Sequence, residues 1–355
     1  MLLRVADVPG DFVSSISLSL RILGPRRKSR DGDQEKRMID SPQAWPALPY
    51  ADLRPTLETL HLWTQIAGKV RLARTPWINH GWQVTLLPSV RGLRTGLIPH
   101  DRVAFDLEFD VLAGALWVRV TDGGERRIEL TGGRVADFRS GLLEALAALG
   151  VPVSINDLPN EVPDPVPFSQ DFAERAYDPQ AARVYWQALL QVDRVFTRFR
   201  SRFIGKCSPT HLFWGSFDLA VTRFSGRPAP LHPGGVPHLP DRVTREAYSH
   251  EVSSAGFWPG SPGAEEAAFY SYAYPTPAGF AEAEVEPSAA YFDPKLGEFL
   301  LPYDAVRRAP DPDAALLGFL QSTYDAAADL AGWDRAALDI AEGLPGHPRD
   351  IPPRG

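Results

Sequence analysis

The sequence predicts an α+β fold built from two similar helix–antiparallel meander–helix lobes. Three observations carry this reading: apolar positions recur at helical spacing near the start of each half, alternating apolar runs with glycine turns follow each helix, and a proline-rich break separates the halves. With 355 residues, 44% of them apolar, the chain has enough material for one large core or two ordinary ones.

Residues 1–37 stand apart, an apolar stretch Phe12–Leu23 running into the charge-mixed Gly24–Arg37. Asp7, Asp11 and the lack of a small-residue cleavage site argue against a signal or transit peptide. Met38 is the only methionine besides Met1, so 1–37 is expected to be disordered or a misassigned start. Leu57, Leu60, Trp63, Ile66 and Ala67 then predict a helix capped by Thr56 and ending at Gly68. Strands are expected at Trp82–Leu87, Val103–Val111, Leu116–Thr121 and Arg127–Leu130, with turns at Ala113-Gly114 and Asp122-Gly123-Gly124. An amphipathic helix through Phe138, Leu142, Leu146 and Leu149 closes a first lobe, 38–160.

Leu158–Phe168 carries four prolines and suits a semi-rigid connector. The second lobe, 161–345, opens with a helix through Val184, Ala188, Val192 and Phe199. Strands are expected at His211–Thr222, Ala247–Val252, Phe269–Tyr274, Phe280–Val285 and Glu298–Leu301, then a helix Pro312–Leu330 and a tail 346–355. Gly68-Lys69, His80, Trp82 and Ala113-Gly114 find counterparts in Gly205-Lys206, His211, Trp214 and Ala278-Gly279. An internal duplication is one reading of these pairs, with 226–268 as a loop inserted in the second copy; coincidence among common residues is the other.

A net charge of −7 with interspersed signs disfavours nucleic acid as partner. The longest apolar runs fall short of the roughly 20 residues a membrane span requires. The single cysteine, Cys207, forms no internal disulfide, and a reducing cytoplasm is the expected compartment. Only five of 37 cations are lysines, which makes Lys206 worth noting, although arginine-rich coding bias also explains the scarcity. Oligomeric state is not readable.

Candidate chemistry concentrates in the second lobe. On a continuous strand Asp218 would be buried and need a partner, Arg223 or backbone being the nearest. Glu246, Tyr248 and His250 share one face if their segment is extended. With His211 they supply a two-His, one-carboxylate set for a divalent metal, or a His/Glu general base assisted by Lys206. Tyr270, Tyr272 and Tyr274 form a stripe that, with Trp214 and Trp258, can wall a ligand pocket; a half-buried sheet surface explains the same stripe. His61, Gln65, Lys69 and His80 form a comparable polar cluster in the first lobe.

The strings WPALPY, TLHLWTQIAGKVRLA, GKCSPTHLFWGSFDLAVTRFSGR, EAYSHEVSSAGFWPG and FYSYAYP resemble an uncharacterised bacterial domain-of-unknown-function family, from Ser41 to about Asp334. The resemblance implies one family-wide architecture and brings no activity, cofactor or catalytic residue; Gly81 departs from it where a large aromatic is expected. The expected function is a small-molecule enzyme, a hydrolase with a His/Glu-centred pocket in the second lobe. The alternative is a non-catalytic ligand-binding or structural protein.

Overall fold

The computed structural model describes residues 45–236 and 238–350. The expectations for 1–37 and the start at Met38 lie outside these residues, as does the end of the tail.

Helix α1 (Tyr50–Arg74) runs past Gly68 rather than ending there. Gly68 sits inside the helix because the indole of Trp214 lies against it, where an added Cβ would overlap the ring. A 3-10 turn, Asn79–Val84, replaces the strand expected at Trp82–Leu87; His80 and Gly81 adopt positive φ there. The short strands β1 (Leu87–Pro88), β2 (Gly92–Arg94) and β3 (Ile98–His100) follow. Next come β4 (Val103–Asp110), β5 (Ala115–Val120) and β6 (Glu125–Glu129), the meander the alternation predicts. They form an antiparallel sheet in the order β1-β2-β4-β5-β6, with β3 paired to β4. A two-stranded ribbon, β7 (Gly133–Arg134) with β8 (Glu174–Arg175), brackets helix α2 (Val135–Ala148).

Helix α3 (Pro179–Ser201) starts with Asp178 as N-cap and proline in its first turn. The strand expected over His211–Thr222 is two strands, β9 (His211–Phe213) and β10 (Asp218–Pro228), paired antiparallel across a tight turn. Phe217 reverses the chain at φ 61°. The segment 226–268 is not a loop insertion: it holds the end of β10, α4 (Asp241–Ala247) and all of β11 (His250–Trp258), a central strand. The strand expected over Ala247–Val252 therefore starts as helix. Then β12 (Ala268–Tyr274), β13 (Tyr291–Asp293) and β14 (Glu298–Pro302) complete the order β13-β14-β12-β11-β10-β9. Phe280–Val285 is not a strand, so Ala278-Gly279 turns no hairpin; with the strand orders unlike, the duplication finds no support.

Helices α5 (Tyr303–Arg307) and α6 (Pro312–Leu330) follow, α6 with the predicted bounds, and then α7 (Arg335–Leu338). Leu219, Val221 and Arg223 of β10, and Phe257 and Phe269 of β11 and β12, are buried; α3 packs on β10 and α6 on β11 and β12. One hydrophobic cluster runs through both sheets, and a backbone bridge between Leu86 and Leu212 ties them together. The fold is α+β with antiparallel sheets. No described helix is long and apolar enough to cross a membrane.

Candidate functional site: a carboxyl-bearing aromatic cavity

The face of the second sheet turned away from α3 and α6 opens into a cavity of about 1360 Å³. That is large for a small-molecule site. Its floor is set by strand register. Asp218 lies opposite Trp258 and Ala268; Ala220 opposite Gly256 and Tyr270; Thr222 opposite Ser254 and Tyr272. The pairing of Tyr270 with Leu300 and Ser271 with Phe299 brings Tyr272 beside Glu298 at the end of that last row. The roof comes from elsewhere in the chain: Gly81 and Trp82 of the 3-10 turn, Asn160 and Glu161 of the proline-rich segment, and Thr244 and Tyr248 at α4.

Asp218 is almost wholly buried and accepts from the hydroxyls of Ser216 and Tyr270, one on each carboxyl oxygen. Tyr270 reaches it by lying across Gly256, where an added Cβ would strike the phenol ring. Burial pushes the carboxyl upward against those two donors. Arg223 is not its partner, because even and odd positions of β10 face opposite sides. Arg223 lies on the helix side, wholly buried, with its guanidinium 3.4 Å from the Phe199 ring centre and 4.3 Å from that of Tyr324. Burial lowers its pKa to about 10.

Of the five further acidic residues lining the cavity, two are strongly shifted. Glu161 is pushed up to about 7 by burial and then by the nearby Asp218 charge. Glu298 is likewise raised to about 7 by burial, Asp218 and Asp293. Neither has a hydrogen-bond or ion-pair partner among the described residues. Asp218 stands on β10 and Glu298 on β14, three strand spacings or about 14 Å apart at the backbone.

Glu161 is held at φ 55°, a conformation costly for a residue with a side chain. Its neighbour Asn160 fixes it there. The Asn160 N–H donates to Gln65 Oε1 at 2.8 Å, and its carbonyl accepts from Gln65 Nε2 at 2.8 Å. The Asn160 side chain accepts from Lys69 and donates to the His238 carbonyl at 2.9 Å. Gln65 and Lys69 are both buried polar residues of α1. Burial lowers the Lys69 ammonium to about 8, and it lies 5.5 Å from the Trp214 ring centre. Next to it, His61 donates from Nε2 to the Gly215 carbonyl at 2.8 Å and stacks on Phe217. Gly215 has no room for a Cβ, since the Glu161 carboxyl occupies that place.

The metal set drawn from sequence does not assemble. His211 is fully buried outside the cavity, between Trp82 and Phe213, with neither ring nitrogen partnered. Burial and then the Arg200 and Arg71 charges lower it to about 3, so it is a neutral packing residue. Glu246 is on a helix, so it does not share a strand face with Tyr248 and His250. His250 stands edge-on to His80, ring centres 5.9 Å apart. Among the described residues no group of three His, Cys, Asp or Glu is placed to hold a metal ion. Lys206 instead donates to His80 Nε2 at 2.5 Å, while His80 Nδ1 donates to the Ala247 carbonyl at 2.9 Å.

A model of a family of unknown function, DUF5996, matches residues 45–340. The chain is a member of DUF5996. No curated protein and no solved structure matches it. In this DUF5996 chain the sequence-singled Trp214, Trp258, Tyr270, Tyr272 and Asp218 line the cavity. Tyr274 does not; its hydroxyl donates to the Pro230 carbonyl and its ring packs on Tyr248 and His232. Glu161, Asn160 and Glu298 escaped sequence reasoning. The one available signal was a polar Asn-Glu pair inside an otherwise proline-punctuated connector.

Proposed function

We propose that the chain is a small-molecule hydrolase whose proton-transfer group is Glu161. The observation that carries this reading is Glu161 itself: a carboxyl near neutrality, fixed on a strained loop beside Asp218 inside an aromatic cavity. Burial first, and then the nearby Asp218 carboxyl locked between two hydroxyl donors, keeps a proton on Glu161 into the neutral range. In the reaction, ionised Glu161 takes a proton from water as the water oxygen bonds to the substrate's electrophilic carbon. It returns that proton to the leaving group as the scissile bond breaks.

The aromatic floor supplies flat apolar area for the substrate's body. The Trp and Tyr rings in the lining also support the second reading, a ligand-binding protein without catalysis. The single cysteine and acidic balance support a cytoplasmic protein that does not bind nucleic acid. We also propose that the chain is organised as two lobes, 38–160 and 161–345.

Nitrophenyl esters, nitrophenyl glycosides and nitroanilides test the reading. At least one class is expected to turn over, with kcat/KM rising through about pH 7 as Glu161 ionises. Glu161→Gln is expected to lower kcat by roughly 10²–10⁴ with little change in KM. Compounds that bind and raise Tm without turnover would favour the binding protein instead. Turnover unaffected by Glu161→Gln would remove Glu161 from the mechanism.

A further inference from the structure

We infer that the natural ligand of this cavity carries a positively charged nitrogen, seated between the Glu298 carboxyl and the rings of Tyr270 and Tyr272. The inference rests on reading the cavity as a small-molecule site and adds the class of ligand.

Charge is the first ground. Six acidic residues line the cavity (Glu161, Asp218, Glu265, Glu266, Asp293 and Glu298) against two cationic ones, Lys69 and Arg242. Lys69 is already committed to Asn160 and to the Trp214 face, and Arg242 is exposed. No cationic side chain among the described residues therefore pairs with Glu298. Asp293 lies beside it in the β13–β14 register, and the Asp293 carboxyl is engaged with the backbone N–H groups of Lys295 and Leu296.

The second ground is independent of charge. Tyr270 and Tyr272 stand side by side, nearly parallel at 17° with centres 6.0 Å apart, and strand register brings Tyr272 next to Glu298. Tyr272 is further fixed by a 2.9 Å hydrogen bond between its hydroxyl and that of Tyr248. Aromatic rings beside a carboxylate, shielded from bulk water, favour a cation over a neutral group of the same shape. A neutral sugar would also stack on these rings, yet it would leave the carboxyl without a counter-charge.

The site has two ends with separate tasks. Glu161 and Asp218 at one end work on the bond, while Glu298 at the other holds the charged nitrogen.

Calorimetry with three matched pairs tests the inference: choline against 3,3-dimethylbutan-1-ol, benzylamine against benzyl alcohol, and 1,5-diaminopentane against pentane-1,5-diol. At least one cation is expected to bind at least about tenfold tighter than its neutral partner. Glu298→Gln, its folding checked by urea denaturation, is expected to cut that preference below about threefold. Neutral partners binding as tightly in all three pairs, no binding by any cation, or a preference unchanged in Glu298→Gln would each overturn it. Turnover of neutral nitrophenyl substrates that depends on Glu161 but shows no cation preference would leave the hydrolase reading standing and this one refuted.

Discussion

Replacing Glu161 and Glu298 together by glutamine is expected to stabilise the protein at pH 8 and to change little at pH 4. Unfolded, both carboxyls titrate near the ordinary 4.5; folded, burial and the Asp218 charge hold them near 7. Between those values the native state binds more protons than the unfolded chain, so stability falls as pH rises. The contribution is fully present below the unfolded value and lost once pH passes the folded one. Each ionised carboxyl costs the fold roughly 2–3 kcal/mol. Glutamine keeps the shape without the charge, so the double variant is expected to gain about 4–6 kcal/mol at pH 8 over wild type. Urea unfolding at the two pH values measures it. Equal stability at both would mean that the two carboxyls are well solvated. Two destabilising acids held in one cavity are the pattern expected where stability is traded for function.

Gln65→Leu is expected to have the opposite sign. The Gln65 side chain satisfies both backbone groups of Asn160 from a fully buried position on α1. Leucine has similar bulk and offers neither donor nor acceptor. Left in place, the two orphaned groups cost about 1–3 kcal/mol each. The loop's alternative is to peel away and hydrate, which carries Glu161 into water. The expected result is a loss of about 2–4 kcal/mol in urea unfolding, together with a fall of Glu161 toward the ordinary carboxyl range. Faster proteolytic cleavage within 156–168 is expected alongside. Destabilisation with Glu161 still titrating near 7 would show that the loop is positioned by something other than this helix.

Where local periodicity decides, the sequence reads well. The α6 boundaries match, and the strands either side of Ala113-Gly114 and Asp122-Gly123-Gly124 appear as expected because turn chemistry and alternation agree. Reading fails where one residue changes the path. Phe217 at positive φ splits a run that looks like one strand, which puts His211 and Asp218 on separate strands. The helix ending at Ala247 breaks the even–odd alternation that had joined Glu246 to His250. Gly68 looks like a helix stop and is instead the seat of an indole.

The site is harder still. Asp218 was legible, because a carboxylate in an apolar run signals a cost that needs a partner. Its partners are two hydroxyls, one of them brought over Gly256 from the second strand along. Glu161 and Glu298 carry no local mark. One lies in a connector and the other on a late strand, and only the order β14-β12-β11-β10 together with the Gln65–Asn160 anchor brings them to one cavity.

The proton-transfer role requires carboxyl groups that keep their protons to neutral pH. Carbon-detected NMR titration of the glutamate side chains, assigned with Glu161→Gln and Glu298→Gln, reads this directly. Two carboxyl resonances are expected to titrate near 7, and each variant is expected to remove one. If every glutamate titrates near 4.5, Glu161 holds no proton at neutral pH and the proton-transfer role does not survive.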